Sequence, residues 1–216
     1  MKKHMKRISM PREWPLPKKG TKYLIRPLTG KGKYAMPLLA ILRDVLKIGK
    51  TKKEIREILK DKSVFVDNKI IQDLSYPIGF FDIITMPKAN LYYRIEFAPN
   101  GKLTFVKINK NESENKPCKI VNKTLLKGNK MQVNLYDGKN VLYKEKTAIN
   151  DSVLIDLKNN KVIKILPLKE NAKVHVIKGK HKGEKGEIKN VEGNLVTVKT
   201  DKEEIKIARE NLFIVG

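Results

Sequence analysis

From Met36 onward, apolar residues recur at helical spacing, with Leu38, Ile41, Leu42, Val45 and Leu46 falling on one face. Pro37 is tolerated in a first turn and Gly49 is a natural stop, so a helix of about three turns is expected between them. Thr51-Lys52-Lys53-Glu54 then reads as a capping box, which starts a second helix with a narrow apolar face of Ile55, Ile58 and Leu59. At 100° per residue, Lys53, Arg56 and Lys60 cluster on the side away from that face. After Ser63 the period shortens to that of strands. SVFVDNKII holds two short extended runs around Asp67-Asn68, a dipeptide suited to the positive φ of a tight hairpin, and YPIGFFDIITM follows as a glycine-interrupted strand. Two helices, a hairpin and a closing strand make a small α+β module.

From Leu91 to about Leu168 only short strands are expected: LYYRIEF, KLTFVKI, CKIVNKTLL, MQVNLY, VLY, SVLIDL and KVIKILPL. Asp137-Gly138 and Asn159-Asn160 supply turns, and the spacing favours an antiparallel barrel or sandwich. The polar stretch at 109–117 is expected as an exposed loop. The last fifty residues repeat the style in miniature, with AKVHVIKG, GEIKNVEG, NLVTVKT, EEIKIAR and NLFIVG forming a separate five-strand barrel. The expected fold class is therefore α+β and multi-module. Its parts are an N-terminal arm at 1–35, the α+β module at 36–90, a central all-β domain at 91–169 and a small β-barrel at 170–216.

Charge changes the picture of the first quarter. The 216 residues carry 47 Lys and Arg against 23 Asp and Glu, a net +24, which in a compact chain repels itself unless a polyanion neutralises it. Residues 1–60 hold 18 of the basic residues and 4 of the acidic ones, so +14 of the charge sits there. Residues 1–34 hold eleven basic residues and one acid, Glu13, and Pro11, Pro15, Pro17 and Pro27 forbid a long helix. This arm is expected to order only on RNA, with Trp14, Tyr23 and Tyr34 offering flat faces to a base or sugar. The partner should chiefly contact this quarter of the chain.

The lone Cys118 excludes an internal disulfide framework and a cysteine-based zinc site, and three histidines give little material for an all-His one. No apolar run reaches the ~18 residues that span a bilayer, and MKKHMKRISMPREW has no apolar core for a secretory signal, so a soluble cytosolic protein is expected. No paired-carboxylate, Ser/His/Asp or Cys/His constellation stands out by spacing, nor a phosphate-binding or dinucleotide fingerprint. Asp67, Asp82 and Asp151 fall at expected turns or strand ends and are read as structural. No catalytic residue, metal ligand or cofactor is assigned.

The sharpest local signal is Val174-His175-Val176-Ile177-Lys178-Gly179-Lys180-His181-Lys182-Gly183-Glu184-Lys185-Gly186-Glu187-Ile188: a strand, a basic glycine-bearing loop and a second strand. Glycine lets a backbone amide come close to a phosphate oxygen. The segment resembles the KOW motif of ribosomal and transcription-elongation proteins, which implies an SH3-like barrel at the C-terminus. PLLAILRDVLKIG, TKKEIREIL, VFVDNKII and YPIGFFDII resemble the S4-type RNA-binding domain. The order of a basic arm, an S4-like module, a central β domain and a KOW unit ending NLFIVG resembles the archaeal and eukaryotic e-type small-subunit ribosomal protein of the S-four family. KKHMKRISMPREWPLPKK and Tyr76-Pro77-x-Gly79-Phe80-x-Asp82 carry the same resemblance, and the valine-glycine end is similar to the shorter archaeal form.

That resemblance implies a structural constituent of the small ribosomal subunit, binding ribosomal RNA and touching neighbouring ribosomal proteins. No membrane, no small-molecule substrate and no homo-oligomer are expected. The implied phosphate contacts of the arm are Lys2, Lys3, Lys6, Arg7 and Arg12, with His4 as a stacking or hydrogen-bonding neighbour, continuing through Lys18, Lys19, Lys22, Arg26, Lys31 and Lys33. Arg43, Lys50, Lys52, Lys53 and Arg56 are implied for the S4-like surface, and Lys178, Gly179, Lys180, His181, Lys182 and Gly183 for the KOW loop. Two alternatives stay open: a KOW-bearing regulator of transcription or translation off the ribosome, and an RNA-modifying enzyme that borrows an S4-like domain. A peripheral membrane protein is the weakest reading, since no segment joins a basic face to a broad apolar one.

Overall fold

The computed structural model describes residues 3–216, apart from 30, 32, 33, 129, 144–146, 201 and 202. The fold is α+β and multi-module, in two units: Met1–Glu96 with Lys102–Ser113, and Phe97–Gly101 with Glu114–Gly216.

In the first unit, the expected three-turn helix is a single α turn, Leu38–Ala40, that widens to π geometry over Ile41–Val45. Leu46 N–H donates to Ile41 O at 2.9 Å, five residues back. Leu38, Leu39, Ala40, Ile41 and Leu42 are all buried, so its first half is enclosed on every side, and its second half, from Arg43, is half-buried. It ends at Lys47, which takes φ +54°, two residues before the glycine expected to stop it. Gly49 serves packing instead, since a Cβ there would lie 2.9 Å from Ile55 Cδ1.

The second helix, Lys52–Lys60, follows its capping signal. The Glu54 amide donates to Thr51 Oγ1 at 3.2 Å, and the Glu54 carboxylate accepts from the Lys50 amide at 2.8 Å and the Thr51 hydroxyl at 2.9 Å. Those bonds, the Lys50 one foremost, hold the Glu54 pKa below its ordinary value. The Asp67-Asn68 hairpin also forms, with φ of +49° and +61°, and pairs Phe65–Val66 with Lys69–Ile70.

Strand pairing then departs from expectation. Leu91–Phe97 and Leu103–Lys107, placed from sequence in the central β domain, extend the sheet of the hairpin in the order Lys69–Ile70, Phe65–Val66, Ile83–Met86, Leu91–Phe97, Leu103–Lys107. The reason is local. One 3-10 turn, Pro87–Ala89, closed by Asn90 at φ +52°, joins Met86 to Leu91, and a connection this short pairs its flanking strands with each other.

The N-terminal segment departs further. His4–Lys6 pairs antiparallel with Tyr23–Ile25, and the loop between them is packed into the first unit. Trp14 is only 1% exposed, with Met10, Leu16 and Leu24 buried beside it in sequence. Leu103 N–H donates to Glu13 O at 2.7 Å and Leu28 N–H to Ser75 O at 2.9 Å. The segment thus has an apolar anchor and backbone partners within its own chain.

The second unit holds two five-stranded antiparallel sheets. In the central one the twelve-residue strand Asn115–Leu126 pairs with Ser152–Asp156 through its first half and with Lys130–Leu135 through its second, with an irregularity between Ile120 and Asn122. Its core is Cys118, Ile120, Val133, Leu135, Val153 and Ile155. The C-terminal barrel has strand order Glu204–Ala208, Leu195–Thr200, Lys185–Glu192, Lys173–Val176, Leu212–Ile214, the five strands its sequence marks out, around Val174, Val176, Ile188, Val196, Val198, Leu212 and Ile214. A buried polar bond ties the two sheets, with Ile214 N–H donating to Ser152 Oγ at 3.2 Å, and in the connection between them Leu168 N–H donates to Asp151 Oδ1 at 3.0 Å.

Candidate nucleic-acid interface

In the first unit the cap at Thr51 sets where the helix Lys52–Lys60 begins. Because its Ile55 and Leu59 face the core, Lys52, Lys53 and Arg56 are left outside and exposed. The strand pairing of His4–Lys6 with Tyr23–Ile25, completed by Arg26 N–H donating to Lys3 O at 3.1 Å, fixes the start of the chain as an extended ribbon. One groove joins the two elements. It has a volume of about 460 Å³ and is lined by Lys3, His4 and Ile25 from the ribbon, Lys52 and Arg56 from the helix, and Gln72, Asp73, Leu74 and Ser75 from the loop after the hairpin. Residues some fifty positions apart thus present cations to one cavity.

The His4 ring, which lines this groove, meets the Tyr23 ring of the neighbouring strand edge to face, with centroids 6.0 Å apart and an interplanar angle of 64°. Lys22 Nζ lies 5.6 Å from the Tyr23 centroid, and Tyr23 is 52% exposed. Lys6, Arg12, Lys18, Lys19 and Arg26 are exposed along the same segment, as is Lys50 before the helix.

Three implied contacts of the first unit are committed elsewhere. Arg7 is buried and clasps its own loop, donating to Thr21 O at 2.7 Å, Thr21 Oγ1 at 2.7 Å and Pro17 O at 2.9 Å. Lys31 is 11% exposed at its side chain and donates to Asp82 Oδ2 at 2.7 Å, with Asp67 Oδ2 at 3.5 Å. Arg43 is paired with the adjacent Asp44 at 2.8 Å, a bond that raises its pKa. Trp14, offered from sequence as a face for a base, is enclosed in the core. Lys2 and Lys33 lie outside the described residues. Asp67 and Asp82 are structural: Asp67 Oδ1 accepts from Ile83 N–H, and Asp82 Oδ2 from Gly79 N–H.

The second unit carries the basic loop 178–183. Lys178, Gly179 and Lys180 are exposed, whereas His181 Nδ1 lies 3.3 Å from Glu184 Oε1. Lys182 turns inward, 9% exposed, with Nζ 4.0 Å from the Phe97 ring centroid. Gly183 holds φ +93°, and a Cβ there would collide with the Ala98 carbonyl, so this glycine admits another stretch of its own chain, not a phosphate.

Several residues of the interface carry no signal in the sequence pattern. Gln72, Asp73 and Ser75 form the groove floor through a polar loop whose placement depends on Leu39 N–H donating to Leu74 O at 3.0 Å. A second groove, of about 540 Å³, lies on the C-terminal barrel and is lined by Lys173, His175, Lys185, Gly186, Glu187 and Lys199 among others. Its lysines come from three strands and converge only on folding. Among the described residues no group of three or more His, Cys, Asp or Glu is placed to hold a metal, and no helix is long and apolar enough to cross a membrane.

With that geometry in view, comparison with known proteins gives one answer along the chain. Residues 1–30 match the model of the RS4NT domain, 36–84 that of the S4 domain, and 89–162 that of ribosomal family S4e. The chain is 34% identical to the small ribosomal subunit protein eS4 of Methanocella arvoryzae, over 99% of this chain and 94% of that protein. It is 35% identical to the protein of the same name from Archaeoglobus fulgidus, over 99% and 93%. Among solved structures, the crystal structure of the 30S ribosomal protein S4e from Thermoplasma acidophilum superposes with a TM-score of 0.73 at 25% identity, covering 86% of this chain and 96% of that one.

Proposed function

The chain belongs to ribosomal family S4e, and we propose that it grips small-subunit ribosomal RNA through the groove between its N-terminal ribbon and the helix Lys52–Lys60. It is a structural, non-enzymatic constituent of the small ribosomal subunit, in the cytoplasm, with ribosomal RNA and neighbouring ribosomal proteins as its partners. Neither the regulator nor the RNA-modifying enzyme is favoured by this membership.

The observation that carries the reading is the convergence of Lys3 and His4 with Lys52 and Arg56 on one cavity. Cations held on a fixed ribbon and a capped helix are presented without a backbone ordering cost, so phosphate neutralisation is offset only by the ordering of their side chains. The exposed Lys6, Arg12, Lys18, Lys19, Lys22, Arg26, Lys50 and Lys53 extend the field around it. Lys178, Gly179 and Lys180 are a second contact, in the other unit. Arg7, Lys31 and Lys182 support these surfaces from within and do not themselves meet phosphate. No membrane, small-molecule substrate or homo-oligomer enters this reading.

Sedimentation tests it. The protein should travel with small ribosomal subunits after a high-salt wash, and should fall into the free fraction when Lys3, Lys52 and Arg56 are all replaced by alanine. Recovery of the unsubstituted protein in the free fraction would favour a factor that cycles off the particle.

A further inference from the structure

A cluster of cations explains affinity for any polyanion, but the groove contains more than cations. His4 lines its ribbon end, and Tyr23 on the neighbouring strand meets the His4 ring edge to face. In an edge-to-face pair, the ring that supplies its edge keeps both of its faces clear of its partner. Neither ring is buried: His4 lies on the surface and Tyr23 is 52% exposed. A duplex stem has its base faces already stacked and offers none to a protein ring; only a splayed base can stack on one. The volume of about 460 Å³ falls within the ~300–1,000 Å³ usual for small-ligand pockets.

The groove floor has the composition of a base-reading surface. Gln72 is exposed and carries both a donor and an acceptor. Asp73 Oδ1 accepts from Ser75 N–H at 2.8 Å, and Ser75 O accepts from Leu28 N–H, so this loop is fixed in place before any ligand arrives. The Asp73 carboxylate closes its own turn through Oδ1, and Oδ2 is a further acceptor on the same group. A base edge with amino donors can use it.

We infer that this groove takes one unpaired nucleotide of the RNA, its base stacked at the His4–Tyr23 pair and its phosphate held by Lys3, Lys52 and Arg56. The inference rests on the RNA-binding reading above and adds the conformation that the RNA must have there. Lys22, beside the Tyr23 ring, is placed to meet a phosphate next to the stacked base.

The test uses the full chain and two synthetic RNA hairpins of identical stem, one fully paired and one carrying a single bulged 2-aminopurine. The bulged RNA should bind about tenfold more tightly, in keeping with roughly 1–3 kcal/mol per stacked base, and its fluorescence should be quenched on binding. His4→Ala with Tyr23→Ala should bring the affinity ratio close to one, and Tyr23→Phe should keep the preference. Both side chains are exposed, so thermal melting of the double variant should match that of the unsubstituted chain. Equal affinity of the unsubstituted protein for the two hairpins, or a preference that survives the double substitution, would overturn the inference and leave the RNA-binding reading intact. Failure to bind either hairpin would overturn both.

Discussion

Lys119 donates to Leu212 O at 2.7 Å, from the long strand of the central sheet into the end of the C-terminal barrel. The same ammonium donates to Glu210 O at 2.8 Å and to Arg209 O at 3.1 Å, so its three protons are spent on three carbonyls of one turn. The group is 3% exposed. Burial, with Lys178 nearby, pushes its pKa down to about 8, against a smaller opposing pull from Glu210. Replacement by methionine removes the donor from each of these carbonyls, of which the bond to Leu212 is buried and the other two part-buried. It should lower the unfolding free energy of the second unit by about 2–4 kcal/mol in urea titrations, with the first unit unaffected.

The same lysine gives a pH signature. In the folded chain it loses its proton near pH 8, and in the unfolded chain at its ordinary 10.5. Between those values the unfolded state holds the extra proton, so this group's contribution to stability increases as pH rises, by up to about 1.4 kcal/mol per pH unit. The slope difference between the parent chain and Lys119→Met over pH 8–10.5 should have that sign. Equal slopes would mean that the ammonium is not desolvated.

Trp14 turns the N-terminal segment into part of the first unit. Trp14→Ala should cost about 3–5 kcal/mol of that unit's stability, read by thermal unfolding. Removing residues 1–34 should unfold or strongly destabilise the first unit and spare the second. A truncated chain that keeps both transitions would contradict the packing of this segment.

The basic loop divides by exposure. Lys178→Ala with Lys180→Ala should weaken RNA binding severalfold with little change in melting, because both side chains are solvated. Gly183→Ala should instead destabilise the second unit, since a β-carbon at φ +93° meets the Ala98 carbonyl. RNA affinity that falls for Gly183→Ala with no loss of stability would return this glycine to the binding surface.

These contrasts show what was legible in the sequence. The Thr51–Glu54 box, the Asp67-Asn68 hairpin and the five strands of the C-terminal barrel are encoded within a few residues each, and they form as read. The sheet that takes in Leu91–Phe97 was not legible, because strand period says nothing of which neighbour accepts the backbone bonds. Lys31 shows the limit for the site: a lysine in a basic run reads as a phosphate contact, and only the folded chain brings Asp82 to within 2.7 Å of it. Conversely, the pattern groups Arg56 with Lys53 and Lys60 on a helix face and gives Lys52 only as part of the S4-like surface, while the groove that Lys52 and Arg56 share with Lys3 and His4 depends on a loop from a third segment.

The central claim, that cations fixed at this groove neutralise RNA phosphates, is tested most directly by the dependence of log affinity on log salt for small-subunit ribosomal RNA. The unsubstituted chain should show a steep slope. Lys52→Ala with Arg56→Ala should flatten it by roughly two, about one for each phosphate contact removed. A slope near zero for the unsubstituted chain, or one that the double substitution leaves unchanged, would contradict the account.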